Sequence, residues 1–116
     1  MRKIIAMVLL RGLVSPGWAA EESMAAVYAL KLVGHRTTSG EKLDLEHPTA
    51  AHRSLPFGTI IDVTNRENGR KATVRINDRG PHCSSILLDL SRVAASALGT
   101  GRRATAPVEF RVVAGH

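Results

Sequence analysis

Hydrophobic positions along this chain fall into short clusters whose spacing changes from segment to segment. Ile4 to Leu10 is an unbroken apolar run. Ala25 to Leu32 is again rich in apolar residues, partly alternating, and predicts a first strand. From Gly34 to Pro48 the chain turns to Thr, Ser, Gly, His and acids, the composition of a long surface loop, and loops of that kind often carry function. Two alternating segments follow, near Thr59 to Arg66 and Lys71 to Asn77, on either side of Asn68-Gly69. That pair suits a two-residue type I′ turn, whose central positions both need positive φ. Counting outward sets Val63 opposite Val74, Ile61 opposite Ile76 and Asp62 opposite Arg75. Apolar pairs then share one face of a hairpin and opposite charges meet on the other.

The Gly80-Pro81 step ends the second of these strands. Ile86 to Leu90 reads as a further strand, and Ser91 caps a short helix whose Val93, Ala94, Ala97 and Leu98 gather on one side. Gly99 suits the left-handed position that ends such a helix, and Val108 to Val113 alternates as a last strand. The order is strand, long loop, hairpin, strand, helix, strand, which is mainly β and predicts a small barrel filled by its own side chains. At 116 residues and 44% hydrophobic content the chain supports one core and is short for two ordinary domains. With only 3% aromatic residues, that core must be built from Val, Ile, Leu and Ala.

Residues 1–19 do not fit the domain. Arg2 and Lys3 precede the apolar run, and Ser15-Pro16-Gly17 leads to small residues, the pattern of a secretory signal cleaved after Ala19. The run is too short to span a bilayer, and no lipid-accepting Cys lies near the cleavage point, so an exported protein of the periplasm or cell envelope is expected, with the domain at 20–116. Because Arg2, Lys3 and Arg11 belong to the leader, the formal charge falls from +6 to +3. The remaining cations are dispersed and have no aromatic residues interleaved for base stacking, which argues against nucleic acid and leaves an anionic wall polymer as a suitable partner. Cys83 is the single cysteine, so no internal disulfide is possible. His47, His52, His82 and Cys83 lack the ligand spacing of a standard zinc site, and no metal or other cofactor is expected.

Several segments taken together resemble a known family. They are Thr37-Thr38-Ser39-Gly40-Glu41, Leu43-Asp44, Thr49-Ala50-Ala51-His52-Arg53-Ser54-Leu55-Pro56-Phe57-Gly58, Val63-Thr64-Asn65, Asn68-Gly69-Arg70, Val74-Arg75-Ile76-Asn77-Asp78-Arg79-Gly80-Pro81 and Leu88-Asp89-Leu90-Ser91. In this order and spacing they are similar to the successive motifs of the rare lipoprotein A (RlpA-like) double-psi β-barrel family. The resemblance runs from about Ala25 to about Val113. It implies a six-stranded double-psi β-barrel with one or two short helices, acting as a monomer. It also implies a peptidoglycan lytic transglycosylase that prefers stem-free glycan strands and works in wall remodelling and septation.

The chemistry asks for few groups. Cleaving a β-1,4 bond between muramyl and glucosaminyl units without water needs an acid for the leaving oxygen, then a base for the C6 hydroxyl as a 1,6-anhydro ring closes. One carboxyl of raised pKa can serve both steps while a second polar group stabilises the oxocarbenium-like charge. Asp78, ending a strand before a Gly-Pro turn, is the first candidate; an Asx turn is the plainer reading of that position. Glu41 and Asp44 are candidates to line the same groove and either raise the acid's pKa or stabilise positive charge at the sugar, and His52 to orient Asp78 or a sugar hydroxyl. Asn77 and Tyr28 are candidate substrate contacts, and Arg79 and Arg53 candidate partners for the muramyl carboxylate.

The sequence also departs from the family pattern. An aromatic pair followed by Gly is reduced to Tyr28 in the first strand, and His82, Ser85 and Ile86 replace an aromatic, a Gly and an Arg. Loss of the Arg removes a groove cation, so a non-catalytic, expansin-like wall-binding module stands as the alternative to an enzyme.

Overall fold

The computed structural model describes residues 20–28, 30–82 and 85–115, so the expected signal segment and Cys83 lie outside the described residues. Six strands, β1 (Glu21–Val27), β2 (Thr49–Ala51), β3 (Ile60–Asn65), β4 (Lys71–Asp78), β5 (Ile86–Leu90) and β6 (Thr105–Ala114), are joined by loops and one helix, α1 (Arg92–Leu98). The strands close into a barrel in the order β1, β5, β2, β4, β3, β6. The β1/β5 and β2/β4 contacts are parallel and the other four antiparallel, so two interlocked parallel pairs make the double-psi pattern.

Alternation fills the interior. Ile61 and Val63 on β3, Val74 and Ile76 on β4, Leu88 and Leu90 on β5, and Val108 and Phe110 on β6 point inward, joined by Ala25 and Ala50. Helix α1 adds Ala94 and Leu98. Its buried side is Ala94, Ala95 and Leu98, while Ala97 is exposed, which corrects the expected apolar side by one position. Ser91 caps the helix as expected: its buried Oγ accepts from Ala94 N at 3.3 Å and from Thr49 N at 3.0 Å, tying the helix start to β2. Gly99 follows in the left-handed conformation, φ 68°.

The first strand and the hairpin differ from expectation. β1 begins at Glu21 because β6 offers a ladder there, Glu21 opposite Phe110, and apolar periodicity does not register two acids on an open strand end. Leu30–Leu32, expected within that strand, forms a 3-10 turn. In the hairpin Ile61 faces Val74, Asp62 faces Thr73 and Val63 faces Ala72. Asn68-Gly69 is therefore not a two-residue turn; the connection is the four-residue loop 66–69, closed by Asn65 N donating to Arg70 O at 2.8 Å. The longer loop serves the helix. Asn65 Nδ2 and Asn68 Nδ2 both donate to Leu98 O, at 2.9 and 3.1 Å, satisfying a helix carbonyl that would otherwise be orphaned. A two-residue slip keeps every side chain on its expected face, because the strand period is two. Only the cross-strand partners change: Thr73 Oγ1 donates to Asp62 at 2.8 Å, and Arg75 is left free to reach Glu41.

Candidate active site

The loop 34–48 folds back over the end of β4. Ser39 N donates to Asn77 O at 3.2 Å, and Thr38 N donates to Asp78 Oδ1 at 2.8 Å. Arg79 N donates to the same oxygen at 2.9 Å, and the Tyr28 phenol donates to Oδ2 at 2.5 Å. Burial pushes the Asp78 carboxyl up, but the donors from Tyr28, Thr38 and Arg79 together outweigh it and hold the group below its ordinary value. Tyr28 is pushed strongly up, first by burial and then by the carboxylate it serves, so it stays a donor. Asp78 is thus an ionised, firmly held carboxylate. This corrects the expected acid of raised pKa, because three donors stabilise its charged form.

The carboxyl with the opposite tendency is Asp89, which sequence reasoning quoted in a motif without assigning it a role. It sits on β5 between the inward Leu88 and Leu90, and therefore faces away from the core. Its neighbours across the ladders are Ala26 and Ala51, whose small side chains leave its carboxyl room. Burial, then the charge of Asp78, push Asp89 up, with a small opposing pull from His82. Ala51 also pairs with Asp78 on β4, so the two acids flank one residue of β2 from either side, their Cα atoms on the order of 10 Å apart by strand spacing. A signal was present in the sequence: a lone acid within the otherwise apolar strand Ile86–Leu90 is a carboxyl at risk of desolvation.

Other expected residues take different places. Glu41 is exposed and ion-paired to Arg75 Nη1 at 2.6 Å; that hydrogen bond is the main reason its carboxyl is held low. Asp44 Oδ1 accepts from Glu46 N and His47 N at 2.9 and 2.8 Å, and Oδ2 meets His47 Nδ1 at 2.8 Å. The His47 side chain is the first cause of its depression to about 2. Both acids line a separate concavity of about 360 Å³ with Lys42, Thr49, Arg75 and Asn77. Both carboxyls are held low, and neither is among the groups that shift Asp78, so of their two expected roles the ionised form suits the stabilising of positive charge. Asn77 is buried and borders that concavity, its Oδ1 without a hydrogen-bond partner among the described residues.

His52 packs its ring edge-on to Phe110, centroids 5.9 Å apart. Its Nδ1 accepts from Ser54 N and Leu55 N, both at 3.1 Å, and burial holds the ring neutral. The imidazole braces the 52–55 turn and meets Asp78 only through its backbone, His52 N donating to Asp78 O at 3.2 Å. Arg79 lies 4.1 Å over the Phe57 ring and donates to Leu55 O at 2.7 Å; Arg53 donates to Pro81 O at 2.8 Å and Ile86 O at 3.3 Å. These contacts tie both guanidiniums to loop carbonyls and leave N–H donors on each, so neither arginine loses its capacity to meet a carboxylate.

A closed six-stranded barrel with two parallel strand pairs is a double-psi architecture, and sequence comparison gives the family. The profile of the family described as lytic transglycolase matches residues 20–110. The chain belongs to this family, as an RlpA-like member. It is 39% identical over 99 residues to the endolytic peptidoglycan transglycosylase RlpA of Vibrio cholerae, covering 85% of this chain and 38% of that protein. It is 51% identical over 77 residues to the probable endolytic peptidoglycan transglycosylase RlpA of Treponema pallidum, covering 66% of this chain and 24% of that protein. The chain therefore spans well under half of either relative. Among solved structures, a Clavibacter michiganensis expansin aligns over 83% of this chain and 51% of its own, with TM-score 0.66 and 23% identity. The Streptomyces papain inhibitor aligns over 85% of this chain and 98% of its own, with TM-score 0.68 and 19% identity. At such identities these structures speak for the barrel alone.

Proposed function

We propose that this domain is a peptidoglycan lytic transglycosylase, an exported lyase that cleaves the β-1,4 bond between MurNAc and GlcNAc and leaves 1,6-anhydro-MurNAc ends during wall remodelling and septation. The observation that carries the reading is the pair Asp78 and Asp89, held across Ala51 with opposite protonation tendencies. Opposed pKa values in neighbouring carboxyls are how one site holds an acid and an anion together. The names of the RlpA relatives supply the substrate class. Among the described residues no helix is long and apolar enough to cross a membrane.

Asp89 is the acid and Asp78 the stabilising anion. The protonated Asp89 carboxyl gives its proton to the glycosidic oxygen as the bond from C1 to that oxygen breaks. Positive charge grows at C1 and the ring oxygen, where the Asp78 carboxylate, fixed by Tyr28, Thr38 and Arg79, offsets it. The C6 oxygen then closes on C1, its proton passes to the Asp89 carboxylate, and the acid is regenerated without water. Activity falls as pH drops through the depressed Asp78 value, because the anion is lost. It falls again as pH rises through the raised Asp89 value, because the acid is lost.

Mass spectrometry of digested, stem-free glycan strands tests the reading. Anhydro ends support it, reducing ends mean a hydrolase, and binding without release means the wall-binding alternative. Asp89→Asn should lower kcat by roughly 10²-fold or more. Asp78→Asn should also slow the reaction and, by removing a like charge from beside Asp89, move the alkaline limb of the pH profile to lower pH. An alkaline limb that stays in place in Asp78→Asn overturns the division of roles.

A further inference from the structure

A second concavity, of about 800 Å³, opens beside Tyr28 between the end of β1, the outer side of α1 and the loop 99–104. Arg92, Arg102 and Arg103 line it, and none of its lining residues is acidic. The three cations are not equivalent. Arg103 is ion-paired with Glu67. Arg92 Nη1 donates to Tyr28 O at 3.1 Å, which uses one of the five N–H donors a guanidinium presents. Arg102 makes no hydrogen bond or ion pair with any other described residue. An uncompensated guanidinium at a concave wall, with a second one mostly unspent beside it, concentrates anions there.

Tyr28 joins this concavity to the Asp78 carboxylate. Its phenol holds Asp78 while its backbone carbonyl holds Arg92, so one residue belongs to both walls. A polymer lying in the groove is therefore the natural source of the occupant. Glycan strands of the wall carry carboxylates either as free lactyl groups on stem-free muramyl residues or on the residues of attached stem peptides. Arg53 and Arg79, the sequence candidates for such a group, each also donate to loop carbonyls.

We infer that the arginine-lined concavity is an anion subsite, in which Arg102 and Arg92 take a carboxylate carried by the glycan strand that Asp78 and Asp89 act on. The inference rests on the glycan reading of that groove. A guanidinium pairs with a carboxylate through two parallel hydrogen bonds, a geometry that a hydroxyl or an ester cannot reproduce.

Calorimetry with soluble strands tests it, using stem-free strands, the same strands with their lactyl carboxylates methyl-esterified, and stem-bearing strands. For the unaltered protein, esterification should weaken binding about tenfold, the loss of one charge-assisted pair at a partly open site. Arg102→Ala should weaken binding of the free-acid strands roughly five- to tenfold and leave the esterified strands unaffected, and added salt should shrink the difference. Stem-bearing strands that depend on Arg102 would locate the carboxylate on the stem as well; independence from Arg102 would locate it on the lactyl group, and either result keeps the subsite. Esterified strands that bind as tightly as free acids overturn it, as does an Arg102→Ala loss equal on both. Failure to bind or cleave any strand in any form refutes the glycan reading itself, and the subsite with it.

Discussion

Replacing Tyr28 with Phe removes one oxygen from the groove and tests how the Asp78 carboxylate is held. The phenol donates to Oδ2 at 2.5 Å, while Thr38 N and Arg79 N serve Oδ1. The ring remains in the variant, so packing is kept and the change is confined to one charge-assisted hydrogen bond. Such bonds contribute roughly 1.5–3 kcal/mol when shielded, and because Asp78 is partly open to water the expected loss at neutral pH is about 1 kcal/mol. The folded pKa of Asp78 lies below its unfolded value, so this stabilisation is complete above the unfolded value and disappears as pH falls through the folded one. Urea unfolding of both proteins at neutral pH and near pH ~3 should therefore show a deficit that shrinks on acidification, with equal m-values. The acid limb of the activity profile should move up by about 0.7 of a pH unit, since 1.36 kcal/mol corresponds to one pKa unit. Equal deficits at the two pH values, or none at neutral pH, would refute the account of Asp78 as a carboxylate stabilised by the phenol.

Further outcomes follow from the barrel and its ends. Val74→Asp places a carboxyl in the closed core and should cost roughly 3–5 kcal/mol, while Asp62→Ala, which loses only the Thr73 contact, should cost under ~1 kcal/mol; paired thermal melts compare them. Gly99 and Gly101 share nearly the same φ, +68° and +66°, but a Cβ at Gly99 would lie 2.8 Å from Arg70 Nη1, whereas one at Gly101 meets nothing within 4 Å. Each Ala substitution should cost about 1 kcal/mol for the left-handed backbone, and Gly99→Ala should cost more because the Arg70 and Asn68 side chains must move aside; denaturant midpoints give the difference. The leader reading expects a mature N-terminus at Ala20, which N-terminal sequencing of protein recovered from the periplasm checks; an intact Met1 there would overturn it.

Alternation alone determined which residues fill the barrel. Ile61, Val63, Val74 and Ile76 stay inward even though the hairpin register differs by two from the count, because a two-residue slip leaves the faces unchanged. The Ser91 cap and the Gly99 terminator were equally legible, since each rests on contacts local in sequence, and the strand Ile86–Leu90 was legible from its apolar run. The short strand β2 and the start of β1 were not legible, because each exists only where a distant strand supplies its ladder. The loop 66–69 is set by carbonyls at the end of α1, some thirty residues away in sequence. At the site, the sequence singled out Asp78 and, separately, Tyr28, but neither their contact nor their charge states. Whether a carboxyl is acid or anion depends on how many donors reach it and how much water leaves it. Only the closed barrel decided that, giving three donors to Asp78 and leaving Asp89 between alanines beside a negative neighbour. Arg53, Arg79 and His52 show the same dependence: residue type made them candidates for the substrate, and only the tertiary structure shows that they also brace loop carbonyls and N–H groups.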